Sequence, residues 1–296
     1  MSIVARRDES RVLDELTRSA RGGQGGAVVV VGAAGMGTTA LVDSALAGLD
    51  GWLVLRAAGS EFERDLPYSC LRQLCAPVVE QRAALPAVQR KALESVFGLG
   101  GGTTASPLVI GLAVLGLLHE LARRRPVCCV VDDAQWADEG TRQVLAFVAR
   151  RVGAERIAVV IATRAGCPGL SDLPHLPLSG LGDADARSLL RSTARPGLDD
   201  EVLDRIVAEA GGNPLALLEF GRDAGPLGLP VHRAHHRAGV AEALEAEFAR
   251  RAKRLPSATR TSLSRTLRDV MSNGCAASAP TTSWSAEVAW HLGFAQ

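Results

Sequence analysis

Val12, Leu13 and Leu16 stand at helical spacing and predict a first helix over about residues 9 to 20. The segment Arg21-Gly22-Gly23-Gln24-Gly25-Gly26 breaks it. Ala27 to Val31 is a short, continuous, β-branched run, the pattern of a strand buried on both faces. A glycine-rich turn follows at Gly32 to Gly37, then a helix at Thr39 to Leu49 and a second strand at Trp52 to Arg56. Residues 60 to 125 read as mostly helical, with one loose loop at Gly98 to Thr104. The longest apolar run, Leu108 to Leu118, falls short of the ~20 residues that span a bilayer and reads as a buried helix. Pro126 opens a third strand, Val127 to Val131, ending in Asp132-Asp133. Val144, Leu145 and Val148 give the stripe of another helix, and Ile157 to Ala162 forms a fourth strand ending in Thr163-Arg164. Strands alternating with helices predict an α/β fold, a parallel sheet with helices on both faces. Ligands of such sheets collect at the carboxyl ends of the strands, where these polar residues fall.

The pattern changes after Leu181, where no further strand is evident. Asp183 is placed to cap a helix bearing Ala186, Leu189 and Leu190. Leu203, Ile206, Val207 and Ala210 make a second stripe, and Gly211-Gly212-Asn213-Pro214 stops that helix and starts the next. Val240, Leu244 and Phe248 suggest one more. The expected organisation is an α/β domain over residues 1–180, a small helical domain over 181–255 and an aperiodic tail over 256–296.

Composition narrows the classes. With 33 basic against 32 acidic residues the formal charge is +1, which argues against a protein that coats nucleic acid. The chain is 47% hydrophobic and 22% charged, so it can bury a core. Aromatics are only 4%, so that core is mostly Ala, Val and Leu. Residues Met1 to Arg7 lack an apolar signal region. Cys70, Cys75, Cys128, Cys129, Cys167 and Cys275 form no CxxC pair and no ligand spacing. They read as small buried apolar residues in a reducing cytoplasm, with Cys128 and Cys129 on opposite faces of their strand.

The candidate chemistry sits in three places. Gly32-Ala33-Ala34-Gly35-Met36-Gly37-Thr38-Thr39, between a buried strand and a helix, has the context of a phosphate-binding loop. Glycines let successive N–H groups face one anion, and the helix N-terminus adds partial positive charge. Gly32, Gly37 and Thr39 match the pattern GxxxxGK[ST], but Thr38 stands in the lysine position. Lysine is scarce throughout: only Lys91 and Lys253 occur, and no Lys or Arg lies between Arg21 and Arg56. A hydrogen bond to a charged group contributes ~1.5–3 kcal/mol, so its loss weakens nucleotide binding roughly 10- to 100-fold. Phosphoryl transfer suffers more, because charge positioning is nearly all the protein supplies there. Second, the apolar strand ending in Asp132-Asp133 has the Walker B arrangement, with Asp132 as a Mg²⁺ ligand beside Thr39 and Asp133 as the water-activating acid. Third, Arg164 at the end of the next strand is placed to sense a terminal phosphate.

These pieces resemble the nucleotide-binding module of the large ATP-binding LuxR-type transcriptional regulators, in the STAND branch of AAA+-like P-loop NTPases. The resemblance covers about residues 3 to 255. Val4-Ala5-Arg6-Arg7-Asp8-Glu9 looks like the family's entry box V-G-R-x-x-E, with Ala5 in place of its Gly. Leu66-Pro67-Tyr68 and Leu71-Arg72-Gln73-Leu74 are similar to the segment after the second strand. Asp132-Asp133-Ala134-Gln135-Trp136-Ala137-Asp138 matches the characteristic DDAQWxD, and Gly212-Asn213-Pro214-Leu215-Ala216-Leu217 the GNPLAL box. The resemblance implies that ATP or ADP, with Mg²⁺, lies between the α/β and helical parts. It implies contacts from Arg6, Gly32, Gly35, Gly37, Thr38, Thr39 and Ala40, with Pro214 near the adenine. It also implies a switch between a closed ADP form and an open form favoured by ATP and an inducer, which self-associates or engages a partner regulator.

The chain departs from that pattern at Thr38, and it carries no helix-turn-helix signature and no winged-helix or repeat region. His232, His235 and His236 read as a solvated loop rather than a metal site. Ser69, Ser171 and Ser179 lack a nucleophile elbow. Two readings stay open. One is a nucleotide-responsive regulatory module with impaired hydrolysis. The other is a pseudo-ATPase interaction module or truncated gene remnant that binds no nucleotide.

Overall fold

A computed structural model of the chain describes residues 6–99, 105–164, 167–193 and 199–223. The expected helix around Val240 to Phe248, the histidine cluster and the tail lie outside the described residues. Helix α1 (Arg7–Arg21) leads into strand β1 (Gly26–Gly32) and helix α2 (Thr38–Leu46). Strand β2 (Leu53–Ala58) is followed by three helices, α3 (Ser69–Cys75), α4 (Ala87–Phe97) and α5 (Pro107–Ala122). Strand β3 (Val127–Asp132), helix α6 (Glu139–Ala149), strand β4 (Ile157–Thr163) and strand β5 (His175–Leu178) complete the sheet. Helices α7 (Asp183–Thr193), α8 (Asp200–Ala210) and α9 (Pro214–Asp223) come last.

The five strands lie in the order β2-β3-β4-β1-β5, and every pair is parallel. Each of the four strands expected from the sequence is present. β3 and β4 are buried at every position, so their apolar runs are continuous rather than alternating. Alternate residues feed two separate layers. Val29, Cys129, Val131, Val159 and Ile161 pack with α3, α4, α5 and α6, whose Leu71, Leu93, Leu117 and Val144 are fully buried. Val28, Val30, Cys128, Val130 and Val160 pack on the opposite face with Leu13 of α1 and Leu41 of α2. Cys128 and Cys129 therefore do point to opposite faces.

Several boundaries differ from expectation. β5 was not evident in the sequence. The second helix ends at Leu46, three residues early, and Gly51, at φ +78°, turns the chain toward β2. Asp183 lies inside the first turn of α7, and the carbonyl of Gly182 accepts the first helical hydrogen bond from Ala186 (2.8 Å). Its charge there complements the helix dipole without capping. The last three helices enclose their own small core of Leu181, Ala186, Leu190, Leu203, Ile206, Val207, Ala210, Ala216 and Leu217. Among the described residues no helix is long and apolar enough to cross a membrane.

Candidate functional site

Register brings the candidate residues to one edge. Ala58 is level with Asp132, Val31 with Thr163, and Gly32 with Leu178. Gly32–Thr39 leaves this carboxyl edge and opens α2. Each carbonyl from Ala33 to Gly37 has a donor. Ala33 accepts from Met36 N–H (3.2 Å), Ala34 from the side-chain amide of Asn213 (3.0 Å) and Gly35 from Leu215 N–H (3.2 Å). Met36 accepts from the Arg6 guanidinium (3.2 Å) and Gly37 from Leu41 N–H (3.0 Å). The amides of Gly35, Gly37, Thr38, Thr39 and Ala40 find no backbone or side-chain acceptor among the described residues. Carbonyls bonded outward and amides left open make a cradle for an anion.

The loop needs its glycines for stated reasons. Gly35 has φ +81°, and a Cβ there would come within 2.6 Å of Asn213 Oδ1. A Cβ on Gly32 would lie 2.8 Å from Thr38 Oγ1, so the Thr38 hydroxyl folds back over the start of the loop. Thr39 and Ala40 are exposed on the first turn of α2.

Arg6 is 7% exposed and ion-paired with Glu9 at 2.9 Å. Its guanidinium thus holds the outer side of the loop. Asn213 does the same from the far end of the chain. Its Oδ1 also caps α9, accepting from Leu215 N–H (3.0 Å) and Ala216 N–H (3.3 Å). Pro214 takes the first position of α9, where a missing N–H costs nothing. Behind it Gly212 has φ +75°, and a Cβ would meet Leu181 O at 2.5 Å.

Asp132 and Asp133 have unlike environments. Asp132 is 6% exposed, and burial raises its carboxyl above the usual aspartate range, partly offset by Arg56. Arg56 donates to Asp132 Oδ2 at 2.7 Å and to Asp43 Oδ1 at 2.6 Å. Burial pulls that guanidinium's pKa down, but the bonds to Asp132 and Asp43 carry it above its ordinary value. Asp133 has a left-handed backbone, φ 47°, and its Oδ1 accepts from the Gln135 amide at 2.7 Å. The Gln135 carbonyl oxygen accepts in turn from Thr163 Oγ1 (3.2 Å) and Arg164 N–H (3.0 Å). Gln135 therefore clamps the end of β3 to the end of β4. The Arg164 side chain is exposed. Asp138, the last acidic residue of that segment, is structural: it caps α6 through Thr141 N–H (2.9 Å) and accepts Tyr68 N–H (2.9 Å).

Sequence reasoning missed three of these residues. Arg56 was seen only as the end of a cation-free stretch. Alternation puts Arg56 on one face of β2 and Asp132 on one face of β3, but nothing in the pattern pairs those strands. Gln135 stood inside the quoted motif without a role. Asn213 was readable as a cap before Pro214, not as a ligand of the loop. Arg56 occupies Asp132 Oδ2, so a Mg²⁺ ion held with Thr39 would reach Asp132 through Oδ1 or through water, or would displace that guanidinium.

Comparisons with known proteins bear on the fold. No curated protein shows significant sequence similarity to the chain. Among the solved structures that share its fold are the following two. One is a signal transduction ATPase with numerous domains (STAND) and a tetratricopeptide repeat sensor, from Pyrococcus horikoshii. Its TM-score is 0.55 at 15% identity, over 98% of this chain and 39% of that one. The other is a chain of Drosophila ORC, solved bound to DNA, with TM-score 0.50 at 14% identity over 99% of this chain and 80% of that one. The family model described as AAA ATPase domain matches residues 2–161, more than half of the 296. From α1 through most of β4, this protein belongs to the AAA ATPase domain family.

Proposed function

We propose that the chain is a nucleotide-binding regulatory switch module of a LuxR-type transcriptional regulator. It binds ATP or ADP at the loop and hydrolyses poorly because Thr38 stands at the lysine position. The observation that carries this reading is the loop's polarity, with five bonded carbonyls outside and the amides of Gly35, Gly37, Thr38, Thr39 and Ala40 open inside. In this reading Gly32, Gly35, Gly37, Thr38, Thr39 and Ala40 surround the phosphates and Pro214 lies by the base. Asp133 and Arg164 are the residual catalytic pair, and Thr39 and Asp132 are the candidate metal ligands. The module divides into residues 1–180 and a helical lid, 181–255, followed by a tail, 256–296. Asn213 ties the lid to the loop in one closed arrangement, with Arg6 bracing the loop from within the α/β part, and nucleotide exchange would open it toward self-association or a partner.

A second reading has its own support. Thr38 removes a cation, and the acidic edge of Asp132 and Asp133 repels phosphate, as in a pseudo-ATPase that serves only as an interaction module. Calorimetry with ATP and ADP on the native chain and on Thr38→Lys separates the two. Micromolar binding by both supports the switch. No binding by the native chain, restored by the lysine, overturns it and leaves the pseudo-ATPase. Turnover in Thr38→Lys exceeding the native chain by about tenfold or more is the expected catalytic result.

A further inference from the structure

The cation missing from the loop has a counterpart one strand away. Arg56 reaches up from β2 between α2 and β3, bonded to Asp43 at 2.6 Å and to Asp132 at 2.7 Å. Asp43 lies one turn after Thr39 on α2, so the two share a face of that helix. The guanidinium therefore sits one helical turn below the open amides, beside the carboxylate assigned to the metal. It retains 42% exposure, so it is not sealed in the core. Asp43 and Asp133 both act electrostatically on Asp132. Without Arg56, three carboxylates would face an incoming polyanion with no compensating side chain from β2, α2 or β3.

We propose that Arg56 is the resident cation of this phosphate site, holding Asp132 in place of a divalent ion, so that the chain binds a nucleoside diphosphate without Mg²⁺. This rests on the nucleotide reading above. The guanidinium has five donors in a fixed fork. Two of its N–H groups are used by the carboxylates, which leaves donors for a phosphate oxygen. Arginine is permanently charged, so the compensation does not depend on pH across the physiological range. Mg²⁺ gains less here, because the charge of its carboxylate ligand is already compensated by Arg56 on Oδ2.

The test is calorimetric titration of ADP into the full chain, once in EDTA and once in excess Mg²⁺. The native chain is expected to give closely similar Kd values in both. Arg56→Gln is expected to bind about 10- to 100-fold more weakly in EDTA, the loss of one hydrogen bond to a charged group. It should recover in Mg²⁺, since Asp132 is then free to take the ion. That recovery also reports that the variant is folded. Arg56→Lys should keep the metal independence in part. Native binding that requires Mg²⁺ overturns the assignment while leaving the nucleotide reading intact. So does an Arg56→Gln variant that matches the native chain in EDTA. No ADP binding by the native chain in either buffer overturns both.

Discussion

Asp138 shows how a residue can be part of a signature and do no chemistry. Its carboxylate is 4% exposed and is shared among Thr141 N–H, Thr141 Oγ1 and Tyr68 N–H. It thereby starts α6 and fixes Tyr68, whose backbone is left-handed at φ 60°. Asp138→Ala removes the cap and strands the Tyr68 amide in the core, a combined cost of about 2–4 kcal/mol. Asp138→Asn keeps Oδ1 as an acceptor and should lose less than half of that. Urea unfolding of the two variants checks the order. Asp133, by contrast, carries its strain at the site itself. The left-handed turn aims its carboxylate at Gln135, and that is a local geometry no residue pattern announces.

Elements were legible to the degree that burial wrote them. β1, β3 and β4 are covered on both faces and appear as unbroken apolar runs. β5 is His175-Leu176-Pro177-Leu178, exposed at alternate positions, with a proline inside it. Proline argues against a central strand, and β5 is indeed at the edge. Val29 N–H bonds to Pro174 O, and alternation from there turns the Pro177 nitrogen to the open side, where no donor is needed. Packing on β1 makes this strand, and its own sequence does not announce it. The same central burial governs the cysteines. Burial pushes the Cys70, Cys75 and Cys128 thiols up to about 12, and Cys129 well above its ordinary value. Cys167 is raised less, by burial offset by Thr163 and Arg142. At mildly alkaline pH a maleimide should label Cys167 first among the described cysteines, and the other four only on unfolding. Mass spectrometry of timed aliquots reads the order. The thiols also set a pH dependence. Raised values in the folded state mean that their contribution is complete below the unfolded value of ~8.5. It is lost as pH climbs toward about 12, because the unfolded chain releases those protons first.

At the scale of the molecule, the phosphate loop is a meeting point of distant chain. Met36 is tied to Arg6 across 30 residues, and Ala34 to Asn213 across 179. The sheet closes over separations of 30 residues between β3 and β4 up to 146 between β1 and β5, all shorter than the Asn213 tie, and with far more buried apolar surface. Closing long loops costs entropy before any contact repays it, so the Asn213 tie, the longest of these, forms slowly. The consequence concerns time rather than binding. During folding the cradle is the last feature to assemble, after the sheet and its two layers are in place. In refolding followed by pulsed amide exchange, β3 and β4 should gain protection in an early phase, and Leu215 and Leu217 of α9 in a later one. Asn213→Ala should slow or weaken only that later phase. Simultaneous protection of sheet and α9 would contradict this order. A chain still emerging from synthesis would therefore carry a complete sheet and no functioning loop until its residue 213 had arrived.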